Sequence, residues 1–222
     1  IMNKNKVLMI ILVLIFLIIL IFYIKNNYKK LPIGNNINKS TESVIEYILN
    51  VNSFKAKIEV EINSNKNSSK YELTQQFVSP NIASQVIDKP DDIKGLKIKF
   101  DGDNLVLENT SLSLTKVYEK YQYVNNNCLW LNSFIEEYKI GDNSRMSEEE
   151  NEIVLEVYNK DSIYNYKKKL HIDKKTNKPT KLEVIDNNKK TRIYIIYKEI
   201  ELNSTNKDEV LAFKLDKSKI EL

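Results

Sequence analysis

Hydrophobic and polar positions fall into distinct regimes along the chain of 222 residues. The eighteen residues from Val7 to Ile24 contain no charge, no glycine and no proline. At about 1.5 Å of rise per residue they reach ~27 Å, close to the hydrocarbon thickness of a bilayer. The run has neither the polar face of a core helix nor the small-residue cleavage site of a signal peptide. It predicts a transmembrane helix over 7–24, after a short tail over 1–6. A basic collar and linker over 25–39 follows, with Lys25, Lys29 and Lys30 near the interfacial tyrosines Tyr23 and Tyr28. The expected tether is this helix and not a lipid, since the one cysteine is Cys128. Lysines flank the span almost evenly, so charge alone does not orient it. The expectation is a single-pass cell-membrane protein, its C-terminal domain extracytoplasmic, a spore membrane being one such location.

From residue 40 to 222 the period changes, and one β-rich domain is expected. Val44, Ile45, Ile48 and Leu49 have helical spacing, with Ser40 or Asn38 as cap. Phe54, Ala56, Ile58, Val60 and Ile62 then alternate with polar residues, as do Tyr71, Leu73, Gln75 and Phe77 across a turn-forming stretch. Further strands are predicted over 82–87, 96–100 and 105–108 and around Leu112 and Leu114. A second helix is predicted from Cys128 to Ile140, capped by Asn127 and ended by Gly141. Its apolar face would carry Leu131, Phe134, Ile135 and Tyr138, and its polar face Asn132, Ser133, Glu136, Glu137 and Lys139. An acidic loop over 147–151 precedes strands over 153–158, 164–173, 180–186 and 191–201, with turns at Asn177-Lys178-Pro179 and Asp186-Asn187-Asn188. About ten strands and two helices make an α+β fold: a large curved antiparallel sheet, a half-barrel, with helices on its concave face and an apolar cleft between.

Charge removes one class of partner. Five of the 34 Lys+Arg precede residue 31 and none of the 30 Asp+Glu does, so residues 31–222 carry 29 basic and 30 acidic side chains, a net of −1. The overall +4 belongs to the anchor flanks, and no nucleic-acid footprint remains. A single cysteine excludes an intramolecular disulfide and a cysteine-based zinc site. His171 alternates with Leu170 and Ile172 and is expected to face solvent; Cys128, opening a helix, lacks the surroundings of a nucleophile. Carboxylates alternate with lysines or cluster in Glu148-Glu149-Glu150, the pattern of a solvated surface. Phosphate-loop, dinucleotide and zinc-protease motifs are absent with only four glycines in the chain. The expectation is no enzyme, no cofactor and no metal.

The aromatic residues are more informative. Trp130 stands four positions before Phe134, so the two could stack along a helix, either as core anchors or as the lining of the cleft or of a partner surface with Leu131 and Tyr138. The order of elements, with the Phe100-Asp101-Gly102-Asp103 turn and the closing Ala212-Phe213-Lys214-Leu215, resembles the LolA/LolB-like lipoprotein-binding fold. More narrowly, Tyr118-Glu119-Lys120-Tyr121, then Leu129-Trp130-Leu131-Asn132-Ser133-Phe134-Ile135 and Tyr138-Lys139, resembles the GerS-related germination proteins of spore-forming clostridia. The resemblance spans residues 40–218. It implies a non-catalytic extracytoplasmic protein that supports spore germination by acting with a cortex-lytic enzyme, here with a helix in place of the lipid anchor. The alternative is a carrier or sensor of lipid or lipoprotein, a lipid occupying the cleft. Exposed edge strands would also permit a dimer.

Overall fold

The computed structural model describes residues 39–109, 112–121, 127–141, 143–159 and 162–212, which belong to one compact unit over 34–222. The predicted span over 7–24 and the closing 213–215 lie outside the described residues; among those described, no helix is long and apolar enough to cross a membrane. Helix α1 (Lys39–Leu49) buries Ile45, Ile48 and Leu49 of the predicted stripe and leaves Val44 half-buried. Eleven strands follow: β1 (Ser53–Asn63), β2 (Ser68–Val78), β3 (Ile82–Lys89), β4 (Leu96–Phe100), β5 (Leu105–Asn109), β6 (Leu114–Tyr118), β7 (Ser144–Glu148), β8 (Glu152–Tyr158), β9 (Lys167–Asp173), β10 (Lys178–Ile185) and β11 (Thr191–Leu202). Helix α2 (Leu131–Ile140) precedes β7, and a short helix α3 (Lys207–Leu211) follows β11.

All eleven strands form one antiparallel sheet in the order β6-β5-β4-β3-β2-β1-β11-β10-β9-β8-β7. Every neighbour is joined by a short connection except the central pair, where β1 meets β11. Two meanders thus radiate from the first and last strands, and β6 and β7 are the free edges. Alternation places Phe54, Ala56, Ile58 and Val60 of β1 on an inner face with Leu73, Gln75 and Phe77 of β2. The same face carries Leu155, Leu170, Leu182 and Ile195 on the other arm. Outer-face charges pair across strands, as in Lys57 with Glu199 at 3.0 Å and Lys198 with Glu59 at 3.0 Å. Exposed pairs of this kind fix register more than stability.

The fold departs from the sequence reading in several places. Residues 147–148 belong to strand β7 and not to an acidic loop, because Met146 and Glu148 register against Leu155 and Ile153 of β8. Pro179 lies inside β10 opposite Ile172, the turn being formed one step earlier by 174–177, and the ladder shifts register just after the proline, which has no N–H to donate. Helix α2 starts at Leu131, three residues later than predicted, since Asn127 caps a preceding turn: its Oδ1 accepts from Leu129 N at 3.0 Å. Asn132 and Ser133, expected on the polar face, are buried. Gly141 does end the helix. A Cβ there would stand 2.9 Å from Ser144 Oγ and 3.0 Å from Glu137 O, so close approach, with φ at −76°, requires the glycine. Helix α3, not anticipated, packs on β2 and β3 and buries Val210; Lys99 Nζ, from the outer face of β4, donates to Leu211 O at 3.2 Å.

Candidate functional site

The inner face has a covered half and an open half. Over the covered half α2 lays down Leu131, Phe134, Ile135 and Tyr138, with Trp130 just before the helix, and all five are buried. Trp130 packs on Phe54 at 6.3 Å between ring centroids, and Phe54 stacks on Phe77 at 5.6 Å. Phe134 stacks on Tyr138 at 6.0 Å. The expected Trp130–Phe134 stack is replaced by these two contacts, because Trp130 has extended backbone (φ −102°) and is not yet helical. Burial pushes the Tyr138 hydroxyl up to about 12, so it stays a neutral phenol. Lys168 also points to this face, between Val157 and Val184, and its ammonium pairs with Glu137 of α2. Ser133 Oγ donates to the same carboxylate at 3.4 Å.

Neither residue weighed as a nucleophile or base is set up for chemistry. Burial pushes the Cys128 thiol up, against the weaker opposite pull of Lys168, and α2 begins too late for its N-terminus to act on the thiol. His171 does not face solvent. It lies buried on the outer face between β8 and β10, with Nδ1 2.9 Å from Glu152 Oε1 and Nε2 3.7 Å from Glu183 Oε1, and neighbouring strands shield it. Its Nε2 has no hydrogen-bond partner and touches no solvent. Nearby Glu156 is raised by burial, but bonds from Lys167, Tyr158 and Lys169 outweigh that and hold its carboxyl below the usual range. This is a structural charge network. Among the described residues no group of three or more His, Cys, Asp or Glu is placed to hold a metal.

The open half is formed by β3–β6. Cross-strand pairing sets Ala83 beside Phe100 and Phe100 beside Leu105, with Ile98 beside Leu107. These five and Trp130 line an apolar cavity of about 170 Å³, with Tyr121 and Asn127 at its rim. A polar bar separates it from the covered half: Gln75 Nε2 donates to Gln85 Oε1 at 2.8 Å and to Leu129 O at 3.4 Å, and Gln75 Oε1 has no partner. Of the predicted surface residues, then, Trp130 reaches the cleft, whereas Leu131, Phe134 and Tyr138 face the sheet. The cleft's own floor was signalled only as strand alternation, which does not say which inner residues go uncovered.

No family model matches the chain, and no curated protein matches it. Solved structures do. An uncharacterized conserved protein from Thermus thermophilus is 10% identical, with 80% of this chain and 96% of that chain covered at a TM-score of 0.51. The complex of the Clostridioides difficile CwlD amidase with the GerS lipoprotein contains a chain 23% identical, with 76% and 98% covered at a TM-score of 0.48. A LolA superfamily protein from Nitrosomonas europaea is 14% identical, with 76% and 96% covered at a TM-score of 0.38. At such identities the likeness is one of fold alone, the large open antiparallel sheet shared with the Thermus protein.

Proposed function

We propose that the chain is a non-catalytic binding protein, tethered by its N-terminal apolar segment and displaying the open sheet outside the cytoplasm, where it engages a protein partner. The observation that carries this reading is the division of the inner face. Its covered half is filled by side chains, and its open half leaves a cavity of about 170 Å³, below the roughly 300–1,000 Å³ of sites that enclose whole small ligands. A cavity of that size suits an anchoring side chain of a partner, ringed by the half-buried residues of β4 and β5. The absence of a base–nucleophile pair at Cys128 and His171 supports a non-enzymatic role.

The finer reading is GerS-related: support of spore germination through a cortex-lytic enzyme. It rests on the sequence motifs around Trp130. The GerS lipoprotein itself is found in complex with an amidase. Deleting the gene in the spore-forming host tests it: spores should retain cortex and fail to outgrow, and full-length tagged protein from sporulating cells should capture a cortex-lytic enzyme. Normal cortex hydrolysis in the deletion strain would remove the germination role. The apolar lining of the cavity favours one alternative, a carrier or sensor of lipid or lipoprotein. That reading requires purified full-length protein to retain lipid in the cavity, and Leu107→Trp to expel it.

A further inference from the structure

The two ends of the sheet differ in chemistry. The antiparallel order brings the β1–β2 turn (64–67), the segment 162–166 before β9 and the β10–β11 turn (186–190) to one end. They are bonded to one another: Asn187 N donates to Ile163 O at 3.0 Å, and Arg192 Nη1 donates to Asn65 Oδ1 at 2.8 Å. On this joined tip Ile163 is 61% and Tyr164 74% exposed. Lys66, Lys189 and Lys190 are exposed around them, and among the described residues no ion pair engages these three. Among the described residues of these three segments the one carboxylate, Asp186, is buried and bonded to Arg192 at 2.7 Å, and neighbouring Glu61 pairs with Lys70 at 3.2 Å; exposed Asp91 and Asp92 lie farther along the same end, past β3. The opposite end carries Glu149, Glu150, Glu152 and Asp173 together.

We infer that this tip, formed by Lys66, Ile163, Tyr164, Lys189 and Lys190, is a membrane-facing surface that seats on an anionic bilayer. Exposed Ile and Tyr side chains ringed by exposed lysines have the composition of an interfacial contact: the apolar pair enters the headgroup boundary while each lysine gains from the negative surface potential. A protein partner would be met by the neutral open cleft, whereas charge complementarity at the tip selects a polyanionic plane. The inference does not depend on which partner the cleft takes.

The full chain carrying Cys128→Ser and Asn188→Cys, labelled with an environment-sensitive fluorophore, tests this in vesicles of phosphatidylglycerol or of phosphatidylcholine containing nitroxide lipid. The expected result is at least about twofold stronger quenching in the anionic vesicles, lost in about 1 M salt, where the screening length falls to ~3 Å. The same label at Thr176→Cys, at the other end, should stay unquenched. Lys66→Glu with Lys189→Glu and Lys190→Glu should abolish the difference without changing the thermal midpoint. Equal quenching at 188 and 176, or quenching indifferent to lipid charge, would overturn the inference. So would a label that responds to a soluble anionic polymer but not to vesicles. Should the triple variant unfold, the salt dependence and the 188-against-176 comparison still decide.

Discussion

The two arms of the sheet are built by the same alternation and end in different states. In the arm from β7 to β11, inner residues such as Leu155, Leu170, Ile172, Leu182 and Val184 are completely buried, because α1 and α2 supply the opposing layer. In the arm from β3 to β6, Ile98, Leu105 and Leu107 stay half-buried, and the edge strand β6 exposes Leu114 and Val117 at 54% each. The alternating apolar positions contribute core stability in one arm and leave an available surface in the other. The difference teaches that alternation alone does not decide burial: an inner face closes only where a second layer covers it.

The largest effect should come from deleting the covering layer's anchor. Phe134→Ala removes a ring with no solvent exposure and is expected to cost about 3–5 kcal/mol in urea unfolding. Leu107→Ala, in the open arm, should cost no more than about 1–2 kcal/mol, because little cavity is created where one already exists. Similar costs at both sites would mean that the arms are equally packed.

The buried ion pair under α2 gives a sharper test. The Lys168 side chain is 4% exposed and that of Glu137 34%. Glu137→Ala strands an ammonium in the core and should cost roughly 3 kcal/mol. Lys168→Met leaves a carboxylate that water already reaches and should cost under about 1 kcal/mol. Thermal unfolding of the two single variants reads this asymmetry, and equal losses would show that Lys168 finds water when unpaired.

A smaller effect is expected from acid. Backbone bonding from Lys190, and then the Arg192 guanidinium, hold the Asp186 carboxyl below its usual range. A depressed folded value means that its contribution is complete above the unfolded value of about 3.9 and disappears as pH falls through the folded one. Asp186→Asn should therefore lower stability at neutral pH and flatten the loss below about pH 4. An unchanged acid profile would show that the tip loops are held by other bonds. Smallest of all, Val117→Lys on the exposed edge should change stability by no more than about 0.5 kcal/mol in chemical denaturation.

Much of this was legible in the residues. Alternation located ten of the strands, the stripe Ile45, Ile48 and Leu49 located α1, and the Asp101-Gly102 turn was read directly. Its geometry explains why: Asp101 Oδ1 accepts from Asp103 N and Asn104 N, and Gly102 takes φ +104°. The strand β7 was missed because Ser144, Met146 and Glu148 show no clean apolar period and are ordered by their partner β8. His171 was read as exposed because its alternation does place it on the outer face, as found. Its burial comes from Glu152 and Glu183, nineteen and twelve positions away in sequence.

By itself, then, the sequence determined which residues share a face and where turns break the chain, because these follow from local spacing and residue type. The tertiary structure alone decided that β1 closes on β11, that α2 covers one arm and stops at Trp130, and that three distant turns join into one basic, apolar tip. Those outcomes depend on contacts between elements distant in the sequence, from 24 positions for Ile163 with Asn187 to 127 for Arg192 with Asn65. A period of two along each strand carries no information about them.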